Sequence, residues 1–208
     1  MALIAPPSTN KDFTRENPPT GMQLARVFRI AELGTHPKTF QGETKMQRQI
    51  RIDWELPTKL LTQGELAGKP FCVGETFGFS VTPKSTLRKK VLNGLVPGMT
   101  DEVANAFDLT KLLGQECLIN IARSENMKDP NKPYFNIMAV TPLMEGMSVP
   151  PNAPANPKVA YALGDTEAWD LLPKWIKDKI GEAEEYKHLA PTGTEGAGKP
   201  ADDESIPF

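Results

Sequence analysis

Apolar and polar residues alternate with a period of two through much of the first half of the chain, which predicts β-strands. The clearest segment places Ile50, Ile52 and Trp54 on one side and polar residues on the other. The next alternating segment, residues 71–81, has bulky residues on one side and small residues on the other, so its small side allows close approach of another group. The predicted strands are residues 22–33, 45–56 and 71–81, with a loop over 34–43.

The period changes in the middle of the chain. Apolar residues at helical spacing predict helices over 84–95 and 103–113, and alternation returns in strands over 116–122 and 134–141. The expected fold is therefore mainly β. Five strands with a helix between the third and the fourth is the order expected of a five-stranded OB-fold barrel. A small unrelated β-sandwich would have the same order and stays open as the alternative.

Composition changes after the last predicted strand. Proline is concentrated between residues 142 and 157, which predicts a linker. Residues 165–186 are predicted to be helical, with Pro173 as the first residue of a new helix, and their apolar stripe favours packing on the barrel over binding of a partner. This stripe consists of Leu172, Trp175, Ile176, Ile180 and Ala183. The predicted organisation is a flexible arm (1–20), an OB-fold nucleic-acid-binding domain (21–144), a linker and C-terminal helix (145–187) and a disordered acidic tail (188–208).

Charge is distributed unequally, although the net charge is only −2. Residues 1–164 carry a net charge of +4, whereas residues 165–208 carry −6. A basic body can bind phosphates while a separate acidic segment has another role. The sequence is therefore compatible with binding to nucleic acid.

Several classes of protein are excluded or disfavoured. Cys72 and Cys117 are the only cysteines, too few for a disulfide framework or a cysteine-rich zinc site, and both are expected to be buried thiols. The only histidines, His36 and His188, are far apart and lack a nucleophile motif. We therefore expect no enzyme, no cofactor and no metal. Because no apolar run approaches the length of a membrane span and no signal peptide is evident, we expect a soluble cytoplasmic protein.

The C-terminal residues are the sharpest functional signal. An acidic stretch followed by Ile-Pro-Phe offers steering charge, one aromatic anchor and a terminal carboxylate for a small pocket with a basic rim. This terminus resembles the tail of bacterial single-stranded DNA-binding proteins, which dock replication and repair partners through an acidic segment ending in Pro-Phe. The resemblance implies that the protein-interaction residues are Asp202, Asp203, Glu204, Ile206, Pro207 and Phe208.

Further patterns occur in the body of the chain. They are Ala25-Arg26, Leu33-Gly34-Thr35, the segment from Ile52 to Pro57, the segment from Thr82 to Lys89 and the segment from Phe107 to Gly114. Together they resemble OB-fold proteins of phage replication modules over residues 22–186. The resemblance implies a single-stranded DNA-binding protein that coats exposed strands and recruits replication proteins in the cytoplasm of a bacterial host. Because the body differs from the standard bacterial binding domain, only the tail residues are carried over.

Binding of single strands without sequence preference requires cations for phosphates and exposed rings for bases. Arg51 is the best-supported cation, because it is expected beside the small side of the third strand, on the usual ligand surface of an OB-fold. Phe40 and Tyr134 are predicted to stack on bases, whereas Trp54 shares the phase of the core. The predicted DNA-binding residues are Arg26, Phe40, Lys45, Arg48, Arg51, Lys84, Arg88, Lys89, Lys90, Lys128, Lys132 and Tyr134.

Other functions stay open at this point. Phosphate contacts do not discriminate strands, so the chain could bind duplex DNA as well as single strands. It could also be an interaction adaptor in which the barrel is a scaffold and the tail the active part. A metal-dependent nuclease is a distant third, because Asp53, Glu55 and Glu75 are the only carboxylate group available and paired strand carboxylates usually face solvent.

Overall fold

The structure, a computed structural model, describes residues 16–40, 42–127, 133–151 and 153–186, with the backbone alone for Phe40. The strands are β1 (Gly21–Phe40), β2 (Glu43–Leu60), β3 (Pro70–Gly78), β4 (Glu116–Ser124), β5 (Tyr134–Thr141) and β6 (Val159–Tyr161). The helices are α1, a π-helical turn (Arg88–Leu92) continued by Asn93–Leu95, then α2 (Asp101–Asn105), a 3-10 turn (Leu109–Leu112), α3 (Thr166–Asp170) and α4 (Lys174–Gly181). The tail predicted over 188–208 and residues 1–15 of the predicted arm lie outside the described residues.

One antiparallel sheet with the strand order β3-β2-β1-β4-β5 forms the body, and β6 adds to β1 in parallel. The mainly β class is confirmed, as is the placement of helix between β3 and β4. A five-stranded sheet with this path would close by pairing β3 with β5. Among the described residues no ladder joins these two strands, so the sheet is not closed into a barrel and the predicted barrel needs this correction.

Helix α1 occupies the seam between β3 and β5. The Lys90 ammonium donates to both carboxylate oxygens of Glu75 on β3, at 2.6 and 2.9 Å, and to the carbonyl of Ile137 on β5, at 2.7 Å. Gly94 packs directly on β5, because a Cβ at this position would overlap the carbonyl oxygen of Val140. Side-chain and helix contacts therefore connect β3 to β5 in place of a backbone ladder.

The main core lies between the inner face of the sheet and α1. Ile50, Ile52 and Trp54 are buried there as the alternation predicts, with Phe77 of β3 beside them. Leu87 and Val91 bring the apolar side of α1 onto these residues. Glu75, which breaks the apolar alternation of β3, is explained by its ion pair with Lys90 at the seam.

Strand β1 is buried on both faces because two bulges change its phase. The register shifts at Phe28 and at Leu33, so that Ala31 and Leu33 join a second core on the other side of the sheet. β6, α3, α4 and the turn between the two helices cover this side and contribute Val159, Tyr161, Ala168, Leu172, Ile176 and Ile180. The loop predicted over 34–43 is mostly wrong, since β1 continues to Phe40.

Residues that follow α4 pack on β1 at Gly34 and Thr35. This glycine has a φ of +84°, and a Cβ there would overlap Ala183, which follows α4. Next to it, Glu185 accepts hydrogen bonds from the backbone N–H of Thr35, at 2.7 Å, and from its hydroxyl. The hydrogen bonds from Thr35 hold the pKa of the Glu185 carboxyl below its usual value. None of the helices in the described part of the chain is long and apolar enough to cross a membrane.

Candidate nucleic-acid interface

The outer face of β1, β2 and β3 is the side that carries Arg29, Arg51, Asp53 and Gly74. Asp53 is only 2% exposed and accepts from two guanidinium groups, Arg51 Nε to Oδ1 and Arg29 Nε to Oδ2, both at 2.7 Å. A buried carboxylate is tolerated only when it is paired and hydrogen-bonded, and here both oxygens have a cationic donor. Asp53 therefore fixes the position of two arginines at once.

The small side of β3 makes this arrangement possible. Gly74 lies opposite Asp53 in the ladder, and a Cβ on Gly74 would overlap Asp53 and the Arg51 guanidinium. Thr76 lies opposite Arg51, with its hydroxyl 3.5 Å from Arg51 Nη1. The group whose close approach was expected from the sequence is thus the Asp53–Arg51 pair of the neighbouring strand.

Trp175 of α4 lies over the same face. Its ring centroid is 4.6 Å from the Arg51 guanidinium carbon and 5.9 Å from that of Arg29, which is cation–π geometry. The residue is 48% exposed, whereas Ile176 beside it is fully buried. The sequence assigned Trp175 to the apolar stripe, but successive helical residues are 100° apart, which puts it at the edge of the stripe.

The other end of the outer face is covered by the segment before β6. Glu55 is fully buried, and its Oε1 accepts from Arg26 Nε at 2.6 Å. Its Oε2 accepts from the backbone and side-chain nitrogens of Asn156, at 2.6 and 2.8 Å. The expectation that both cysteines are buried is confirmed for Cys117 and wrong for Cys72, which is exposed as a residue. Partial desolvation of the Cys72 sulfur, together with the negative charges of Asp53 and Glu55, still raises the pKa of this thiol to about 11. Glu55 is therefore covered at this end of the face, whereas Trp175 is accessible at the other end.

The predicted DNA-binding arginines have different surroundings. Arg26 and Arg51 are paired with buried carboxylates of the outer face, with side chains 18% and 20% exposed. Arg48 is more accessible, although it pairs with Glu32, and its guanidinium carbon lies 5.0 Å from the Phe79 ring centroid. The structure therefore brings Arg26 and Arg51 to one face and leaves Arg48 outside it.

Two predicted DNA-binding cations are engaged within the fold. Arg88 is buried and donates to the carbonyls of Val81 and Met99, at 3.2 and 3.3 Å, and to the Asp101 carboxylate. Lys90 connects β3 and β5 as described above. Their present contacts hold loops and strands together, so a role in phosphate binding would require breaking them.

The other predicted residues are accessible or not described. Lys84 and Lys89 are exposed around α1, and Lys45 is exposed near the tip of the β1–β2 hairpin, with a solvent-facing ion pair to Glu43 at 2.9 Å. Tyr134 is 54% exposed at the start of β5. Outside the described atoms lie Lys128, Lys132, the Phe40 side chain, Asp202, Asp203, Glu204, Ile206, Pro207 and Phe208.

Neither a metal site nor a similar protein assigns a function. Within the described segments no group of His, Cys, Asp and Glu side chains could hold a metal ion. Comparisons with models of protein families, with curated proteins and with solved structures found no match to this chain. The features of the described residues that bear on function are the sheet, its charged groups and its accessible rings.

Proposed function

We propose that this chain is a single-stranded DNA-binding protein built on an open OB-fold-like sheet. The observation that carries the proposal is the path β3-β2-β1-β4-β5 with helix between β3 and β4. OB-folds are five-stranded, partly open barrels that bind oligonucleotides on the face of strands 2 and 3 and on neighbouring loops. An open seam occupied by α1 is compatible with that description.

The chemistry of the corresponding face supports the proposal, which a fold alone could not. Arg51 and Thr76 provide hydrogen-bond donors on β2 and β3, and Trp175 provides an accessible ring above them. Cations for phosphates together with rings for bases are the requirements of binding to single strands. Lys45, Lys84, Lys89 and Tyr134 add exposed cations and a second ring outside this face.

The mechanism is stoichiometric. The protein coats exposed strands through phosphate contacts and base stacking, with no covalent step. By the resemblance of its terminus to bacterial single-stranded DNA-binding proteins, the acidic Ile-Pro-Phe end recruits replication proteins of the host. The two activities reside in separate parts of the chain, so each can be tested alone.

Competition between nucleic acids tests the substrate class. A labelled oligothymidine bound to the full chain is challenged with unlabelled single-stranded DNA, duplex DNA of the same length or single-stranded RNA, and fluorescence anisotropy reports displacement. We expect single-stranded DNA to displace the probe at a concentration at least tenfold lower than duplex DNA. Equal competition by the duplex would favour the mixed-mode binder, and failure to bind the probe would favour the adaptor.

A further inference from the structure

The ring of Trp175 on α4 is accessible to solvent although it lies over the sheet. Both guanidinium groups near it, those of Arg51 and Arg29, belong to the sheet, so the exposed part of the ring faces away from the sheet. The ring is held in place because Ile176 and Ile180 of the same helix are fully buried. A rigid aromatic surface backed by a cation can accept a second planar group without reorganisation.

We propose that Trp175 and Arg51 form a stacking site for one unpaired nucleobase, and that Asp53 is the positioning residue of this site. The proposal rests on the single-strand binding function argued above. The base stacks on the ring, and the adjacent phosphate accepts from Arg51. Arg51 Nε donates to Asp53, whereas Nη1 has only a long contact of 3.5 Å with Thr76 and so keeps N–H donors in the plane of the guanidinium for a phosphate oxygen.

The site selects unpaired bases for a geometric reason. A base inside a duplex is stacked on both of its faces, so a ring that is fixed on a protein surface cannot reach either face without unstacking the helix. A base in a single strand has a free face and can stack at little cost. Stacking on Trp175 would therefore favour single strands over duplex DNA, a distinction that phosphate contacts alone do not make.

The role of Asp53 follows from its two ion pairs. Its carboxylate holds Arg29 and Arg51 beneath Trp175, and Gly74 provides the space for this contact. A carboxylate near a polyanion should otherwise weaken binding. Loss of its charge would therefore strengthen DNA binding if only net charge mattered, and weaken it if Asp53 positions Arg51. The two effects have opposite signs.

The first test compares Asp53→Asn with Glu65→Gln in the full chain, by anisotropy with a labelled oligothymidine. Glu65 lies in the exposed segment between β2 and β3 and serves as the matched loss of one negative charge. We expect Glu65→Gln to bind within twofold of wild type and Asp53→Asn to bind about 5- to 30-fold more weakly. The slope of log affinity against log salt should also become less negative by about 0.7 for Asp53→Asn, the loss of one phosphate contact. Equal or tighter binding by Asp53→Asn would overturn the positioning role.

The second test does not depend on folding of a variant in a buried position. Trp175→Phe keeps a stacking ring and Trp175→Ala removes it, and the tryptophan that both variants replace is half exposed. We expect Trp175→Ala to lose about 5- to 100-fold in affinity and Trp175→Phe to stay within about threefold. Tryptophan emission should be quenched by the oligothymidine in wild type and much less in Trp175→Phe, because Trp54 is buried and Trp169 packs between Tyr161 and Tyr186.

The outcomes separate this inference from the proposed function. Wild-type binding with an unchanged Trp175→Ala variant would overturn the stacking site and leave the single-strand binding function intact. Absence of oligothymidine binding by the wild-type chain would overturn both.

Discussion

At the scale of single residues, the absence of a side chain decides how closely layers pack. Gly74 leaves room for the Asp53–Arg51 pair, and Gly94 lets α1 rest on β5. In the first case the obstacle to a Cβ is side chains, whereas in the second it is the backbone oxygen of Val140. The second position should tolerate a methyl group less well, because a strand backbone cannot move without disturbing its ladder.

Gly94→Ala should therefore destabilise the protein by about 1 to 3 kcal/mol, although alanine favours helix more than glycine does. The free energy of unfolding in urea measures the effect. Gly181→Ala is the matched control, because a Cβ at Gly181 meets only ordinary contacts at 3.9 Å. Equal stability of the two variants would contradict the close contact between α1 and β5.

The thiol of Cys72 is expected to react slowly at neutral pH, because its pKa is raised. With its pKa raised from 9.0 to about 11, the thiol should hold about 100-fold less thiolate at pH 8 than an ordinary cysteine. Alkylation by iodoacetamide should be correspondingly slow and should accelerate about tenfold per pH unit up to about pH 11. Mass spectrometry of the adduct measures the rate, with Cys72→Ser as the control for Cys117. A rate at pH 8 equal to that of an unstructured peptide cysteine would refute the prediction.

At the scale of elements, the strands show where sequence patterns are informative and where they are not. Simple alternation correctly predicts β2 and β3, because the apolar face of each packs on the main core and the other face of β2 buries the charged residues Asp53 and Glu55. It fails in β1, where the bulges at Phe28 and Leu33 change the phase and the C-terminal helices bury the second face. Glycine and proline in the sequence indicate a break after Leu33, but pairing with β2 keeps the chain extended to Phe40. A pattern within one segment does not report such partners.

The contacts of Lys90 at the seam between β3 and β5 are expected to stabilise the fold. Lys90→Met removes the cation that joins Glu75 to the Ile137 carbonyl and leaves a half-buried carboxylate without its partner. We expect the free energy of unfolding to fall by about 1 to 2 kcal/mol, a moderate value because both side chains keep some solvent contact. Lys89→Met, at the exposed neighbouring position, should change stability by less than about 0.5 kcal/mol. Indistinguishable variants in urea denaturation would mean that the bridge does not hold the seam.

At the scale of the whole molecule, the sequence is more informative about the sheet than about the candidate site. The succession of strands and helix along the chain follows from periodicity, whereas the open seam depends on packing by Lys90 and Gly94. Basic residue type alone could not separate Arg88, which is buried within the fold, from Lys89, which is exposed. Trp175 reaches the outer face only because α4 docks on β1, and no local pattern indicates such a distant contact.

The unequal distribution of charge along the chain predicts that the acidic C-terminal segment weakens DNA binding. Residues 188–208 carry four acidic side chains and one lysine, so they can compete with DNA for the same cations. A chain that ends at Lys187 should bind oligothymidine several-fold more tightly than the full chain at low salt. The difference should shrink above about 0.1 M salt, where the screening length falls below about 10 Å. Equal affinities of the two chains at low salt would contradict competition between the tail and DNA. A full-length variant in which Asp202, Asp203 and Glu204 are replaced by the corresponding amides distinguishes the effect of tail charge from that of tail length.

The salt dependence of oligothymidine binding tests whether the protein binds the phosphates of single-stranded DNA. Anisotropy titrations of the full chain across a salt series give the slope of log affinity against log salt, which is about −0.7 for each phosphate contacted in a single strand. If about three to five phosphates are neutralised, we expect tight binding at low salt and a slope of about −2 to −4. No binding at low salt, or binding that salt does not weaken, would contradict the proposal that this sheet binds single-stranded DNA.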